Sequence, residues 1–270
     1  MRLSRTFVVR IWLCLFFLGL LSAPNLAQQP SASNAENTEQ GAKLLRAVIE
    51  ARGGDRYLNV KTLLASGQYT PFRDGVSTSP IAFEDTFVYP DKERVEFGRG
   101  KKKDRRIQVN VGGSGWVYDG DAETLKEQTA EQVREFLDNL TYDLDRVLRV
   151  GWQAVGVRTR FAGREETRPG ERADVVEVEL APERKLYIWL DRFNHLPISL
   201  IYEKDGEQGL TRHEYRFFQY VAYDGVKFPN IVDYYRDGRQ VSRINYQDIK
   251  LNVPVVESIF SKPANAKAVK

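Results

Sequence analysis

Cysteine is almost missing from this 270-residue chain, and the single one, Cys14, stands inside an N-terminal apolar run. The residues before it are not the small ones that precede a lipid-modified cysteine. The segment "MRLSRTFVVRIWLCLFFLGLLSAPNLAQQ" carries Arg2, Arg5 and Arg10, then apolar residues from Ile11 to Leu21, then small residues. That is the order of a secretory signal peptide. The run from Ile11 to Leu21 is too short to span a bilayer, which takes about 20 residues. Cleavage is expected after Ala27. The mature chain would then hold no cysteine, which excludes disulfides, thiol catalysis and thiolate metal sites.

A surplus of either charge is missing too. The chain has 40 Lys+Arg and 37 Asp+Glu, and the signal segment holds three arginines and no acid, so the mature part balances at 37 of each. A nucleic-acid binder needs a basic footprint, and this chain has none. Histidine is limited to His195 and His213, which form no HExxH or other metal-ligand pair. His195 falls in the turn "RFNHLP"; His213 falls in the strand "TRHEYRFF" and is expected to hydrogen-bond a neighbour. "GGSGW" lacks the GK[ST] of a phosphate loop and reads as a hairpin turn. "DGDAET" begins like a calcium loop, but Thr124 replaces the sixth-position glycine and Ala130 the bidentate glutamate. No G-x-S-x-G occurs. Among so many acids no carboxylate pair stands out. The expectation is a binding protein and not an enzyme, without cofactor or metal.

What remains is rich in strand formers and turns. Residues 1–27 are read as the signal peptide, 28–38 as a flexible polar leader ("PSASNAENTEQ"), 39–263 as one domain, and 264–270 as a C-terminal tail. From Thr38 to Arg52 the pattern is helical, with Leu44, Leu45, Val48 and Ile49 as its stripe and Gly53-Gly54 as its stop. Short strands follow: "KTLLASGQYTPF", "PIAFEDTFVYP", "ERVEFG", "RRIQVNV" and "GWVYDG". One helix interrupts them. "TAEQVREFLDNLTYDLDRVLRVGW" opens with Thr129 and Gln132 at capping-box spacing and continues with Val133, Phe136, Leu137, Leu140, Leu144, Val147 and Leu148 as an apolar stripe. Strands then resume to "QVSRINYQDIKLN", with hairpin dipeptides at Asp205-Gly206, Asp224-Gly225 and Asp237-Gly238. The sum is about a dozen strands and two substantial helices. The fold class is mainly β (α+β): a large, strongly curved antiparallel sheet with helices on one side.

The stretch "LYIWLDRFNHLPISLIYEKDG" poses the functional question. Leu186, Ile188 and Leu190 point one way, Tyr187 and Trp189 the other, so neither face of this strand is purely polar. The chain also has 13 Tyr, 14 Phe and 4 Trp. Two arrangements account for so many rings: a thick, filled core, or a cavity that holds an apolar ligand. Strand and helix parity nominates Phe87, Trp116, Phe136, Leu140 and Leu144 as lining. The later strands add Ile188, Trp189, Leu200, Tyr215 and Phe217. A separate basic run, "RGKKKDRR", contains Lys101, Lys102, Lys103, Arg105 and Arg106. It suits a solvated loop that blunts edge pairing, or a contact with an anionic membrane or an acidic partner.

Several stretches, in order, resemble the outer-membrane lipoprotein-sorting (LolA/LolB-like) family. These are "VIEARGGDRYLNVKTLLASG", "GWVYDGDAETLKEQTAEQVREFL", "LYIWLDRFNHLPISLIYEKDG" and "YDGVKFPNIVDYYRDGRQVSRINYQDIKLNVPVVESIFSKP", which together cover most of residues 40 to 263. The resemblance implies a half-open β-barrel of about 11–12 strands with helices as a lid over its concave face. It also implies a monomeric periplasmic carrier of lipid or lipoprotein acyl chains, served by inner- or outer-membrane transport components. The movable cover would be the Val133–Leu148 helix. A second function is compatible with the same features: an envelope regulatory or scaffolding module that binds a protein partner.

Overall fold

The computed structural model describes residues 32–98, 105–168, 171–206, 209–263 and 267–268. The segment read as a signal peptide, Lys101, Lys102 and Lys103 lie outside the described residues. Helix α1, Ala32–Arg52, begins within the stretch read as a leader. Its alanines, glutamates and glutamine favour helix, and Thr38 Oγ1 donates to the Asn34 carbonyl at 2.8 Å. A short helix α2, Asp55–Leu58, follows the Gly53-Gly54 turn. None of the helices among the described residues is long and apolar enough to cross a membrane.

The described residues form fifteen strands. They are β1 (Thr62–Arg73), β2 (Val76–Ser77), β3 (Ile81–Val88), β4 (Lys92–Phe97), β5 (Arg106–Val111), β6 (Ser114–Asp119) and β7 (Thr124–Glu127), then β8 (Arg158–Arg168), β9 (Glu171–Ala181), β10 (Arg184–Asp191), β11 (Pro197–Gly206), β12 (Gly209–Tyr223), β13 (Val226–Arg236), β14 (Arg239–Leu251) and β15 (Lys267–Ala268). They pair in the order β15-β7-β6-β5-β4-β3-β1-β14-β13-β12-β11-β10-β9-β8, with β2 folded onto β1. Every pair is antiparallel except β15 on β7. β8 and β15 end the row, so the sheet is a half-open barrel that does not close.

Turn chemistry sets the hairpins. Asp224-Gly225 and Asp237-Gly238 both adopt positive φ, as two-residue primed turns require. Asp205-Gly206 does not turn the chain. Both residues pair in the ladder, Asp205 with Leu210 and Gly206 with Gly209.

The expected long helix is two. Thr129 caps α3 (Ala130–Thr141) through the capping box with Gln132. The chain breaks at Tyr142, and Asp143 accepts the Arg146 N–H to cap α4 (Leu144–Arg149). An unbroken apolar stripe cannot reveal this, because Asp143 is equally at home on a polar helix face and at an N-cap.

α1 lies on β8 and β9, burying Leu45 and Val48 against Val176, Val178, Leu186 and Ile188. Contact is close enough to need Gly41: a Cβ there would lie 2.7 Å from the Arg160 carbonyl carbon. This end of the concave face is therefore filled by protein. The convex face answers the question posed by Tyr187 and Trp189. It carries cross-strand ion pairs: Arg160 with Glu177 at 2.5 Å, Arg158 with Glu179 at 2.7 Å, Arg243 with Asp233 at 2.6 Å. Tyr187 and Trp189 lie among them, and Trp189 Nε1 donates to Glu165 at 3.0 Å. Elsewhere on that face the C-terminal segment covers the sheet, where Trp116, Ile107, Val109 and Tyr118 cluster with Phe260.

Candidate functional site

Beyond α1 the concave face is not filled. A cavity of about 670 Å³ lies between the sheet and the α3–α4 segment, within the roughly 300–1,000 Å³ usual for small-molecule sites. Phe136 and Leu140 of α3 and Leu144 of α4 form its helical side. Leu63, Leu200, Phe217, Phe228, Val232, Ile244 and Ile249 form its sheet side, with Tyr202, Tyr215 and Tyr246 beside them. Gln128, Gln132, Glu135, Asn139, Arg106 and Gln108 add polar surface.

The nominated residues separate by position. Phe136, Leu140, Leu144, Leu200, Tyr215 and Phe217 share the cavity. Ile188 does not reach it, because α1 packs over that part of β10 and leaves Ile188 fully buried. Phe87 shares the concave face but packs edge-on against Tyr89, 4.7 Å between centroids, and is not among the lining residues. Trp116 and Trp189 are corrections. Both lie on the convex face, Trp116 donating Nε1 to the Phe260 carbonyl at 3.1 Å. Each is one residue out of phase with a cavity-facing or core-facing neighbour, Val117 and Ile188 respectively. The basic run divides as well: Arg105 pairs with Glu96 on the convex side, whereas Arg106 lines the cavity.

Charged groups inside the fold were not legible as a set. Arg52, 1% exposed at the end of α1, reaches Asp145 of α4, the Tyr57 hydroxyl at 3.2 Å and the Lys227 carbonyl at 3.1 Å. Its guanidinium also lies over the rings of Tyr57 and Phe228. Asp145 accepts from the Tyr57 and Tyr89 hydroxyls at 2.9 and 3.2 Å. Arg149 donates to the Val60 carbonyl at 2.6 Å and sits between Tyr57 and Tyr89. Burial opposes both charges of the Arg52–Asp145 pair. The attraction outweighs it, holding the Asp145 carboxyl below its ordinary value and raising Arg52. This network ties α4 to α1, α2 and the turn that follows β3.

α3 is held less. Of its residues only Val133 and Leu140 are buried, and Leu137 is exposed. Its tethers are Lys204 to Asn139 at 2.7 Å and to Asp138 at 3.5 Å, with Arg184 to Asp138 at 3.4 Å. At the break between the helices Tyr142 stacks on Tyr202 at 4.1 Å, and the ladder continues through Tyr215 to Tyr234. His213 lies against Tyr202 and contacts the Tyr234 hydroxyl at 2.9 Å; burial lowers its pKa below the ordinary imidazole value.

The sequence matches no family model and no curated protein. Solved structures do match the fold. A LolA superfamily protein from Nitrosomonas europaea superposes with TM-score 0.53 at 14% identity, over 82% of this chain and 97% of that one. The fold is LolA-like. A DUF1329 family protein from Desulfovibrio piger gives TM-score 0.57 at 12% identity, over 83% of this chain and 97% of its own. An outer membrane lipoprotein-sorting protein domain from Vibrio parahaemolyticus gives 0.52 at 13%, over 83% and 97%.

Proposed function

We propose that this protein is a carrier or binder of apolar ligands, such as lipid or lipoprotein acyl chains, in the cell envelope, exported by the N-terminal signal segment. The observation that carries this reading is the cavity itself, walled by aliphatic and aromatic side chains and roofed by a helix with few anchors. A hydrocarbon chain gains about 0.8 kcal/mol per CH₂ moved out of water, so an apolar hollow of this size is a sufficient host. Release needs a cover that moves. α4 is pinned by the Arg52–Asp145 network, so the moving part is α3, swinging about Tyr142; this narrows the cover expected from the Val133–Leu148 stripe to its first half. No acid–base or nucleophilic pairing is needed for such a role.

The test fills the hollow. Val232→Trp with Ile244→Trp adds two indoles on neighbouring strands, whose residues pair directly across β13 and β14. The expected outcome is that an apolar fluorescent dye taken up by the wild type is no longer bound, while the thermal midpoint stays close to wild type. Undiminished uptake by the folded double variant would place dye binding elsewhere and remove the cavity from the account.

A further inference from the structure

The cavity has two unlike halves, and the strand order shows where they meet. From β11 to β1 the sheet lines it with Leu200, Phe217, Val232, Ile244 and Leu63, with tyrosine rings among them. From β4 to β6 it offers Glu93, Gln108 and Arg106, and Val117 is the apolar exception. The cover is graded in the same direction. Its β6 end carries Gln132 and Gln128, whose N–H donates to the Gly115 carbonyl at 2.9 Å. Its β11 end, tied by Lys204 to Asn139 at 2.7 Å, carries Leu140, and Leu144 follows on α4. Among the described residues the Arg106 side chain has no ion pair and no hydrogen bond. Asp119, opposite it on β6, turns back to accept the Asp121 and Ala122 N–H groups.

Size decides how many hydrocarbon chains enter. A methylene takes up a volume like that of a water molecule in the liquid, about 30 Å³, so one chain of 16 carbons needs about 480 Å³ and two need about 960 Å³. The cavity of about 670 Å³ holds the first with room to spare and not the second. Its walls resist expansion. α1 packs so closely that Gly41 has no space for a Cβ, and α4 is held by the buried Arg52–Asp145 pair. A second chain would have to displace α3. Length agrees with volume. From β11 to β1 is four strand spacings of about 4.8 Å, or roughly 19 Å. An extended chain advances about 1.2 Å per bond, so about 16 carbons cover that distance.

Resting on the apolar-ligand reading above, we propose that the ligand is an amphiphile with one hydrocarbon chain of about 16 carbons. Its tail lies across β11–β1 beneath Leu140 and Leu144, and its head stays at the polar end with Arg106 and Gln108. A cargo with several acyl chains would have to leave the others outside or hold α3 open.

The experiment has two parts. The first is competition against a bound apolar dye by the n-alkanoates from decanoate to docosanoate. Affinity is expected to rise about fourfold per CH₂ up to hexadecanoate and to stop rising beyond it. Leu200→Phe adds bulk at the far end of the apolar half and is expected to move this break to a shorter acid. Arg106→Leu with Gln108→Leu extends the apolar half and is expected to move it to a longer one. The second part is native mass spectrometry after incubation with vesicles holding equal amounts of hexadecyl phosphate and dihexadecyl phosphate. One hexadecyl phosphate per protein is expected, and no dihexadecyl phosphate. A climb without a break to docosanoate, a break at dodecanoate or below, or equal loading of the two phosphates would overturn the single-chain inference and leave the apolar carrier intact. A break that stays at hexadecanoate in the folded variants would overturn the placement of tail and head. Failure of every compound, dye included, would remove the apolar-ligand reading and this inference with it. The wild-type series and the mass spectrum decide even where a variant does not fold.

Discussion

Replacing Asp145 by asparagine changes one oxygen to nitrogen and leaves the Arg52 cation buried without its counter-charge. Arg52 would retain the Lys227 carbonyl, the Tyr57 hydroxyl and the rings of Tyr57 and Phe228. Were the pair on the surface, its loss would cost no more than about 1 kcal/mol. Arg52 is 1% exposed, and removing one partner of a buried pair costs roughly 3–5 kcal/mol. In a chain of this length each kcal/mol moves the midpoint by about 2–4 °C, so Asp145→Asn is expected to melt roughly 6–20 °C below wild type. Circular dichroism melts at pH 7 measure this. Arg52→Met with Asp145→Leu removes both charges and should recover much of the loss, because the penalty lies in the orphaned ion. A single Asp145→Asn variant within about 1 kcal/mol of wild type would refute the clamp. The pH sign follows from the same geometry. The Asp145 carboxyl is held below its ordinary value, so its contribution is present at neutral pH and lost as pH falls through that lowered value.

Glu93 works in the opposite direction. Its folded value of about 7 exceeds the ordinary 4.5, so the folded state binds this proton more tightly and loses stability as pH rises across that interval, by an amount on the order of 3 kcal/mol. Glu93→Gln should flatten the fall in melting temperature between pH 5 and 8; an unchanged slope would mean that other groups cause it. Hydrogen exchange should separate the two parts of the cover, with α3 amides exchanging faster than those of α1 and α4. Equal protection of α3 and α1 would argue against α3 as the moving element.

Much of the architecture was legible in the sequence because period and turn chemistry are local signals. The capping box at Thr129 and Gln132 marked the start of α3, and the Asp-Gly pairs at 224–225 and 237–238 marked two hairpins. Face assignment was harder. Ile188 and Trp189 are both large and apolar, and alternation alone does not say which side carries the helices. Trp189 was misplaced because ion pairs can shelter a ring on a convex face as well as a core can. Trp116 was misplaced because the covering segment, around Phe260, is distant in sequence. The charged interior had a signal that patterning undervalued: Arg52 falls three and four positions after Ile49 and Val48, on the apolar stripe of α1, and Glu93 alternates with Val95 and Phe97 on β4. A charge in phase with core positions is either an error of phase or a buried group with a task. Which acids would meet which arginine depended on the break at Tyr142.

The most direct measurement is native mass spectrometry of the protein purified from the cell envelope without detergent, with solvent extraction of what it carries. The account predicts a chain bearing one apolar guest, lost from the Val232→Trp, Ile244→Trp variant. A wild-type protein that carries nothing, yields no lipid on extraction and takes up no dye would contradict it.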